Sequence, residues 1–315
     1  MILDQDIYQR IKEKKAKLDN LRPLPKSLVS RLHDQIIIEW TYNSNGIEGT
    51  TLSLKETRLI LEHGLTIKGK PLKEHFEAKN HKDAISFVEE LVREKQFDVN
   101  QLLIRQIHQL VIKEIDDEWA GKYREVEVEI TGTKFVPPDS VVVPVKMRQF
   151  EKWLQDKNNQ KNLIDYASLA HFKLVDIHPF IDGNGRTARL LMNLILMNRG
   201  YPPTVILKND RMKYYESLGE GHKGEWESFV NFIGRNVERS LTWYLEAVTP
   251  SKDKKKQDKW QLLSELVKKT PYSQEYLSLL ARRGKIEAVK KERNWYSNEQ
   301  AIEKYRKEIK VVKKF

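Results

Sequence analysis

Cysteine is absent from the 315-residue chain, which excludes disulfides, thiolate nucleophiles and thiolate metal ligands. Also missing is any apolar run near the ~20 residues that a membrane-spanning helix needs. The opening Met-Ile-Leu-Asp-Gln-Asp has neither the basic stretch nor the apolar core of a secretory leader. A cytoplasmic protein with no membrane partner is the expectation. Acidic residues run short at one end only: residues 251–315 carry 19 Lys/Arg against 9 Asp/Glu, leaving 37 against 36 for the first 250. The net charge of +11 therefore belongs to a basic C-terminal module rather than to the whole surface.

What is present is mostly helical periodicity. A short helix from Asp4 to about Lys17 is broken by Pro23 and Pro25. An apolar segment, Leu32 to Trp40, runs into Asn43-Ser44-Asn45-Gly46, small polar residues expected to interrupt any long helix. Helical spacing returns over Leu54–His63, Lys73–Val92, Val99–Ile115, Val145–Asp156, Leu163–Asp176 and Arg186–Arg199, the last closed by Gly200 with Pro202 and Pro203 beyond. Between Gly121 and Pro138 the period changes to two, with Val126, Val128 and Ile130 alternating with acids, which predicts a small β-hairpin flap.

One segment carries chemistry: His178-Pro179-Phe180-Ile181-Asp182-Gly183-Asn184-Gly185-Arg186-Thr187-Ala188-Arg189. Gly183, Asn184 and Gly185 bring bare backbone to the start of a helix whose first N–H groups are unsatisfied, the makings of an anion site. Arg186 and Arg189 share a helix face and can hold more than one phosphate. Asp182 is a hard oxygen ligand suited to Mg²⁺ bridging phosphates. His178 is the nearby group able to take a proton near neutral pH. Each feature alone is commonplace; together they point to nucleotide chemistry with a general base.

The segment resembles the signature of the Fic family, His-x-Phe-x-Asp/Glu-Gly-Asn-Gly-Arg-x-x-Arg, with every specified position present. The similarity extends over roughly residues 30–248, including the tracts Gly121 to Arg124, Pro137-Pro138, Leu190 to Met197 and Gly200-Tyr201-Pro202-Pro203. It implies an all-α Fic fold with a small β-hairpin flap and transfer of AMP from ATP to Ser, Thr or Tyr hydroxyls of proteins, this chain included. By the same resemblance, His178 is the base, Asp182 the Mg²⁺ ligand, Gly183, Asn184 and Gly185 the phosphate cradle, and Arg186 and Arg189 the β/γ-phosphate holders. Phe180 anchors the loop in the core. Lys134, Phe135 and Val136 form the flap that docks a target segment, and Tyr214 and Tyr215 contact adenine. His222 stands where close relatives carry Asn. Ser44, Glu48 and Gly49 fit the family's inhibitory Ser/Thr-x-x-x-Glu-Gly/Asn motif, and its implied partner is Arg189, which Glu48 would keep from the γ-phosphate. Among animal members the same Glu also supports AMP removal, so deAMPylation is a second expected activity. A homodimer is a further implication.

Four regions are expected: an N-terminal helical region over 1–110, a catalytic core over 111–248, a linker over 249–259 and a basic domain over 260–315. The last reads helix, turn, helix, hairpin, helix, and resembles the small winged-helix modules of bacterial regulators. Arg282, Arg283, Lys285, Lys290, Lys291 and Arg293 are its candidate DNA contacts. The rival functional reading is accordingly a DNA-binding transcriptional regulator whose Fic domain senses a nucleotide.

Overall fold

The computed structural model describes residues 1–24, 26–95, 98–130, 133, 135–249, 260–291 and 293–312, with side chains left aside at 26–29, 31, 291 and 307–312. Thirteen α-helices are described: α1 (Gln5–Asn20), α2 (Lys26–Glu48), α3 (Leu54–His63), α4 (Leu72–Glu94), α5 (Gln101–Ile112), α6 (Val143–Gln155), α7 (Leu163–Ile177), α8 (Asn184–Asn198), α9 (Arg211–Gly221), α10 (Trp226–Val248), α11 (Leu263–Leu266), α12 (Gln274–Arg282) and α13 (Glu299–Val312). Three short strands complete the set: β1 (Gln261–Leu262), β2 (Val289–Lys291) and β3 (Asn294–Ser297). No described helix is long and apolar enough to cross a membrane.

Two compact units emerge. One comprises Met1–Leu3 with Pro25–Ser240, the other Asp4–Leu24 with Leu241–Phe315, so the division falls inside α10. The grouping of α1 with C-terminal residues is a long-range association that composition along the chain does not carry.

The larger unit is built on α8. Leu190, Leu191, Met192, Leu194 and Leu196 are all fully buried, so the helix is apolar nearly all round and must lie inside a bundle. Its neighbours are α7, α4, α5 and α2. Asn162 caps α7 through the N–H groups of Ile164 and Asp165, and the helix stops at His178 in the left-handed conformation (φ 50°). Five residues later the chain turns again through Gly183 (φ 78°) and enters α8. Two helix ends therefore face one short loop, and that loop is the signature segment.

Two expectations are corrected here. Asn43 to Gly46 do not interrupt α2, which runs on to Glu48. Residues that ordinarily destabilise a helix interior have tertiary partners here: Asn43 Oδ1 accepts from the Lys208 N–H (2.8 Å) while its Nδ2 donates to the Glu39 carbonyl one turn back (2.8 Å), Asn45 donates to the Glu77 carbonyl (3.1 Å), and Ser44 accepts from Arg189. Arg211 Nε and Lys208 Nζ donate to the carbonyls of Ile47 and Thr50, satisfying the helix end.

The flap is the second correction. Among the described residues from Glu125 to Asp139 there is no strand. Val126 is 50% and Val136 81% exposed, with Val128 and Ile130 only half-buried, so the alternation buries no face fully, and an isolated hairpin is marginal in water. The segment is held at its ends: Arg124 donates to the carbonyls of Val126 and Pro138, Ser140 N–H to Glu127, and Ser140 Oγ to the Glu125 carbonyl.

In the smaller unit, Leu263, Leu266, Leu277, Leu280, Ala281, Ile286 and Ile302 form a core. β3 lies between β1 and β2, antiparallel to both, with Tyr296 opposite Leu262 and Val289. Ser273 caps α12. Lys285 reaches Asp4 (3.1 Å) and Asp6 (3.0 Å) of the α1 segment, and Lys14 of α1 pairs with Glu287.

Candidate active site

The loop between α7 and α8 is pinned from within. Asn184 Oδ1 accepts from the Phe180 N–H (2.9 Å), and its Nδ2 donates to the Phe180 carbonyl (2.8 Å). The Asn184 amide is spent on shaping the loop, which leaves its main chain to meet a ligand. Phe180 is fully buried. Arg124 joins the same turn to the flap segment, its N–H donating to the Pro179 carbonyl (2.9 Å) and its Nε to the His178 carbonyl (2.8 Å).

α8 has no side-chain N-cap, so the N–H groups of its first turn are left to an anion. Gly185 sits in that turn. A Cβ there would collide with Glu48 Oε1, which places the Glu48 carboxylate against the positive end of the helix. Glu48 also accepts from Arg189 NH2 at 2.6 Å. The rest of that guanidinium is committed too: Nε donates to Ser44 Oγ (3.0 Å) and NH2 to the Ser44 carbonyl (2.9 Å). Ser44 and Glu48, one helical turn apart, thus point at one cation as their spacing predicts. Burial works against the Arg189 charge, but Glu48 more than compensates and holds its pKa above the usual value.

Arg186 is 1% exposed. Its NH2 contacts Asp182 Oδ1 (3.2 Å). NH1 lies 3.3 Å from Glu77 Oε1 without making a hydrogen bond, and Nε has no acceptor among the described residues. A buried guanidinium with unspent donors is costly unless an anion completes it. Lys73 Nζ stands 3.3 Å from the other oxygen of Asp182. Burial would raise the Asp182 carboxyl, yet Arg186 and then Lys73 bring it below the ordinary range. It is ionised at neutral pH.

His178 Nδ1 is buried with no well-formed hydrogen bond. Burial, helped by the Arg124 charge and opposed by the Val175 carbonyl, pushes the imidazole down to about 4. The ring is neutral at pH 7, the form that accepts a proton.

The tyrosines divide. Tyr214 is 2% exposed, its ring packed among His171, Phe229 and Phe232, and its hydroxyl lies 3.5 Å from Arg189 NH1 and 3.1 Å from His171 Nε2. The expectation that it contacts a base is therefore corrected: it supports Arg189 from behind. Tyr215 is half-buried, beneath Arg211, with its pKa raised by burial and then by the Glu48 charge. In the flap, Phe135 stacks on His222 (centroids 3.5 Å, planes 9° apart), and His222 Nδ1 meets Asp176 at 2.9 Å. Val136 is exposed, and Lys134 lies outside the described residues. Gly49 follows α2 with φ 110°.

Lys73, Glu77, Arg124 and His171 were not singled out from sequence. Lys73 and Glu77, four apart on α4, carry an ordinary helix-surface pattern, and only the fold brings them to Asp182 and Arg186.

Among the basic residues of the smaller unit, Arg282, Arg283 and Arg293 are exposed and Lys290 is half-buried, while the Lys291 side chain lies outside the described residues. Lys285 is corrected as a DNA contact, because two carboxylates already hold its ammonium. Burial raises Asp4 and lowers Lys285, but their pairing wins and shifts both the other way.

Comparison with known proteins gives the family of the chain. The Fic/DOC family pattern matches residues 98–196. Protein adenylyltransferase Fic of Culex quinquefasciatus is 37% identical over 248 residues, covering 78% of this chain and 49% of that protein. Its namesake in Nematostella vectensis is 37% identical over 248 residues, 78% and 57% of the two chains. The chain spans about half the length of these curated relatives. Among solved structures, a Fic domain containing signaling protein from Bacteroides thetaiotaomicron superposes with a TM-score of 0.71 at 29% identity, over 76% of this chain and 97% of that one. Fic-1 from C. elegans gives 0.70 at 32% identity, over 78% and 72%. With the signature complete and the likeness extending through the surrounding helices, the chain belongs to the Fic/DOC family.

Proposed function

We propose that this chain is a protein adenylyltransferase that moves AMP from ATP to Ser, Thr or Tyr hydroxyls of proteins, itself included, and that Glu48 restrains it. The observation that carries this reading is the placing of the Glu48 carboxylate between Arg189 and the first turn of α8. An anion already sits where the terminal phosphate of a triphosphate would bind. Arg186, buried with donors unspent, favours the same ligand.

In the reaction, His178 Nε2 takes the proton of the target hydroxyl while that oxygen bonds to the α-phosphorus. The bond from phosphorus to the α,β-bridging oxygen breaks, and pyrophosphate leaves. The proton on His178 then passes to solvent. The charges of a bound triphosphate raise the imidazole from its depressed value toward the useful range. Gly183, Gly185 and the main chain of Asn184 line the phosphates; Arg186 and Arg189 hold the β- and γ-groups. The ionised carboxylate of Asp182, a hard oxygen donor, would hold Mg²⁺ beside the phosphates. Mg²⁺, when bound, supplies charge neutralisation on the phosphates. Tyr215 takes the adenine contact, and Phe135 and Val136 present the flap to the target.

Intact-mass and peptide mass spectrometry of Glu48→Gly incubated with ATP tests this reading. The expected result is AMP on hydroxyl side chains, lost when His178→Ala is added; an unmodified Glu48→Gly protein with any added acceptor removes the adenylyl-transfer reading.

A second proposal concerns the smaller unit, which we read as a winged-helix-like domain that docks DNA through Arg282, Arg283 and Arg293, with Lys290 at its edge. Its support is their exposure beside α12 and the β2–β3 hairpin. A salt-dependent gel shift with the full chain reads it, and no retention at low salt leaves the unit to protein docking.

A further inference from the structure

His108, on α5, is 1% exposed and sits beneath the signature loop. The Gly121 N–H donates to its Nδ1 at 3.0 Å, and its Nε2 lies 2.9 Å from the Asp182 carbonyl. A backbone N–H can only donate and a carbonyl can only accept, so one tautomer satisfies both: Nδ1 is bare and Nε2 carries the proton. The ring also lies flat on Phe180, with centroids 3.6 Å and planes 3° apart. Gly121 is itself fixed, since Arg105 Nε donates to its carbonyl at 2.6 Å.

The consequence follows from peptide geometry. In a trans peptide the C=O and N–H point in opposite directions. With the Asp182 carbonyl drawn inward to His108, the N–H of Gly183 is turned outward. That N–H donates to Asp182 Oδ1 at 2.6 Å, so the orientation of this peptide also sets the orientation of the carboxylate. A core histidine kept only for packing would need neither of these directions.

We infer that His108 is a positioning residue for adenylyl transfer. Its Nε2–H locks the Asp182–Gly183 peptide, and so aims the Asp182 carboxylate and the open N–H groups of α8 at the triphosphate. This assignment rests on the adenylyl-transfer reading above. It also ties the phosphate loop to Gly121, where the flap segment begins, so loop and flap share one hydrogen-bonded joint.

Three substitutions in the full-length Glu48→Gly protein separate the contacts. His108→Gln retains a donor that reaches the Asp182 carbonyl, His108→Asn retains only an acceptor near Gly121, and His108→Phe retains only the stack on Phe180. The expected result is a kcat within about fivefold of the parent for Gln, and a loss of about 30- to 100-fold for Asn and Phe at nearly unchanged target KM. Two measurements do not depend on transfer. Imidazole ¹⁵N spectra of the unsubstituted chain give the Nε2–H tautomer, and Gly183 amide exchange accelerates in Phe and Asn but not in Gln. Equal loss in Gln and Phe at equal melting temperature, or an Nδ1–H tautomer, overturns the assignment. If Glu48→Gly itself transfers no AMP, the activity proposal fails alone, and the tautomer and exchange data still decide the role of His108.

Discussion

Arginines of the two units meet opposite conditions. Arg186 and Arg189 on α8 are 1% and 2% exposed, while Arg282, Arg283 and Arg293 of the smaller unit lie in solvent. A buried guanidinium must have carboxylate, carbonyl or phosphate partners, because the cost of leaving it bare is several kcal/mol by order of magnitude. An exposed one is served by water and gains little from any single partner. Net charge points to the C-terminal module, and burial points to α8 in the middle of the chain. The charge-balanced region holds the proposed site.

The largest effect that would break this contrast is at the proposed base. His178→Ala is expected to lower AMP transfer by about 10³-fold, with nucleotide affinity measured by calorimetry changed by no more than a few-fold. Transfer at the parental rate would show that the buried cluster positions nucleotide without a base. Next comes the restraint: removing the carboxylate in Glu48→Gly frees Arg189 and raises transfer by about 10- to 100-fold, the scale of a typical coupling free energy. Initial rates at fixed ATP check it, and an unchanged rate means the ion pair serves α2 packing alone.

Acid sharpens the contrast further. Burial depresses His81, His108, His171 and His178, with Arg189 adding to the effect at His81 and His171. All eight histidines precede residue 223, so the residues beyond Leu241 have none. The sign is fixed: below the ordinary value of 6.5 the unfolded chain binds protons that the folded one refuses, so stability falls with pH, by up to about 1.4 kcal/mol per pH unit for each such group. His33, raised by Glu89, acts in the opposite direction. Hydrogen exchange at pH 7 and pH 5 is expected to show lost protection in α7 and α8 and far less change in α12 and α13; equal loss in both would contradict the assigned burial costs. The smallest effect lies on the exposed side. Arg282→Ala with Arg283→Ala is expected to leave AMP transfer within about twofold, as for surface changes in general, and to flatten the salt dependence of DNA retention.

Much of the proposed site is legible in sequence because the proposed chemistry admits few residue types at those positions: an imidazole, a carboxylate, two glycines and two guanidinium groups within twelve residues. Ser44 and Glu48 are legible for a similar reason, a helical spacing with one shared partner. Other features depend on neighbours that no local pattern records. α2 continues through Asn43 to Gly46 because Lys208, Glu77 and Arg189 occupy the polar side chains. Val126 to Ile130 alternate, yet Val126 is exposed and Val128 and Ile130 are only half-buried, and no strand forms there. Tyr214 and Tyr215 are adjacent in sequence yet face different surroundings, one the core and one the site. Lys285 reads as a free cation until Asp4 and Asp6 are found beside it. His108 looks like one polar residue on the apolar face of α5, and only the positions of Gly121 and Asp182 give its two nitrogens distinct tasks.

The central claim is that the cluster around α8 transfers the adenylyl group and that Glu48 holds it back. Incubating the unsubstituted chain and Glu48→Gly in parallel with ATP labelled at the α- or the γ-phosphorus tests it most directly. The account predicts covalent label on protein from α-labelled ATP only, stronger in Glu48→Gly and absent when His178 is alanine. Label retained from γ-labelled ATP, or equal α-labelling with and without Glu48, would contradict it.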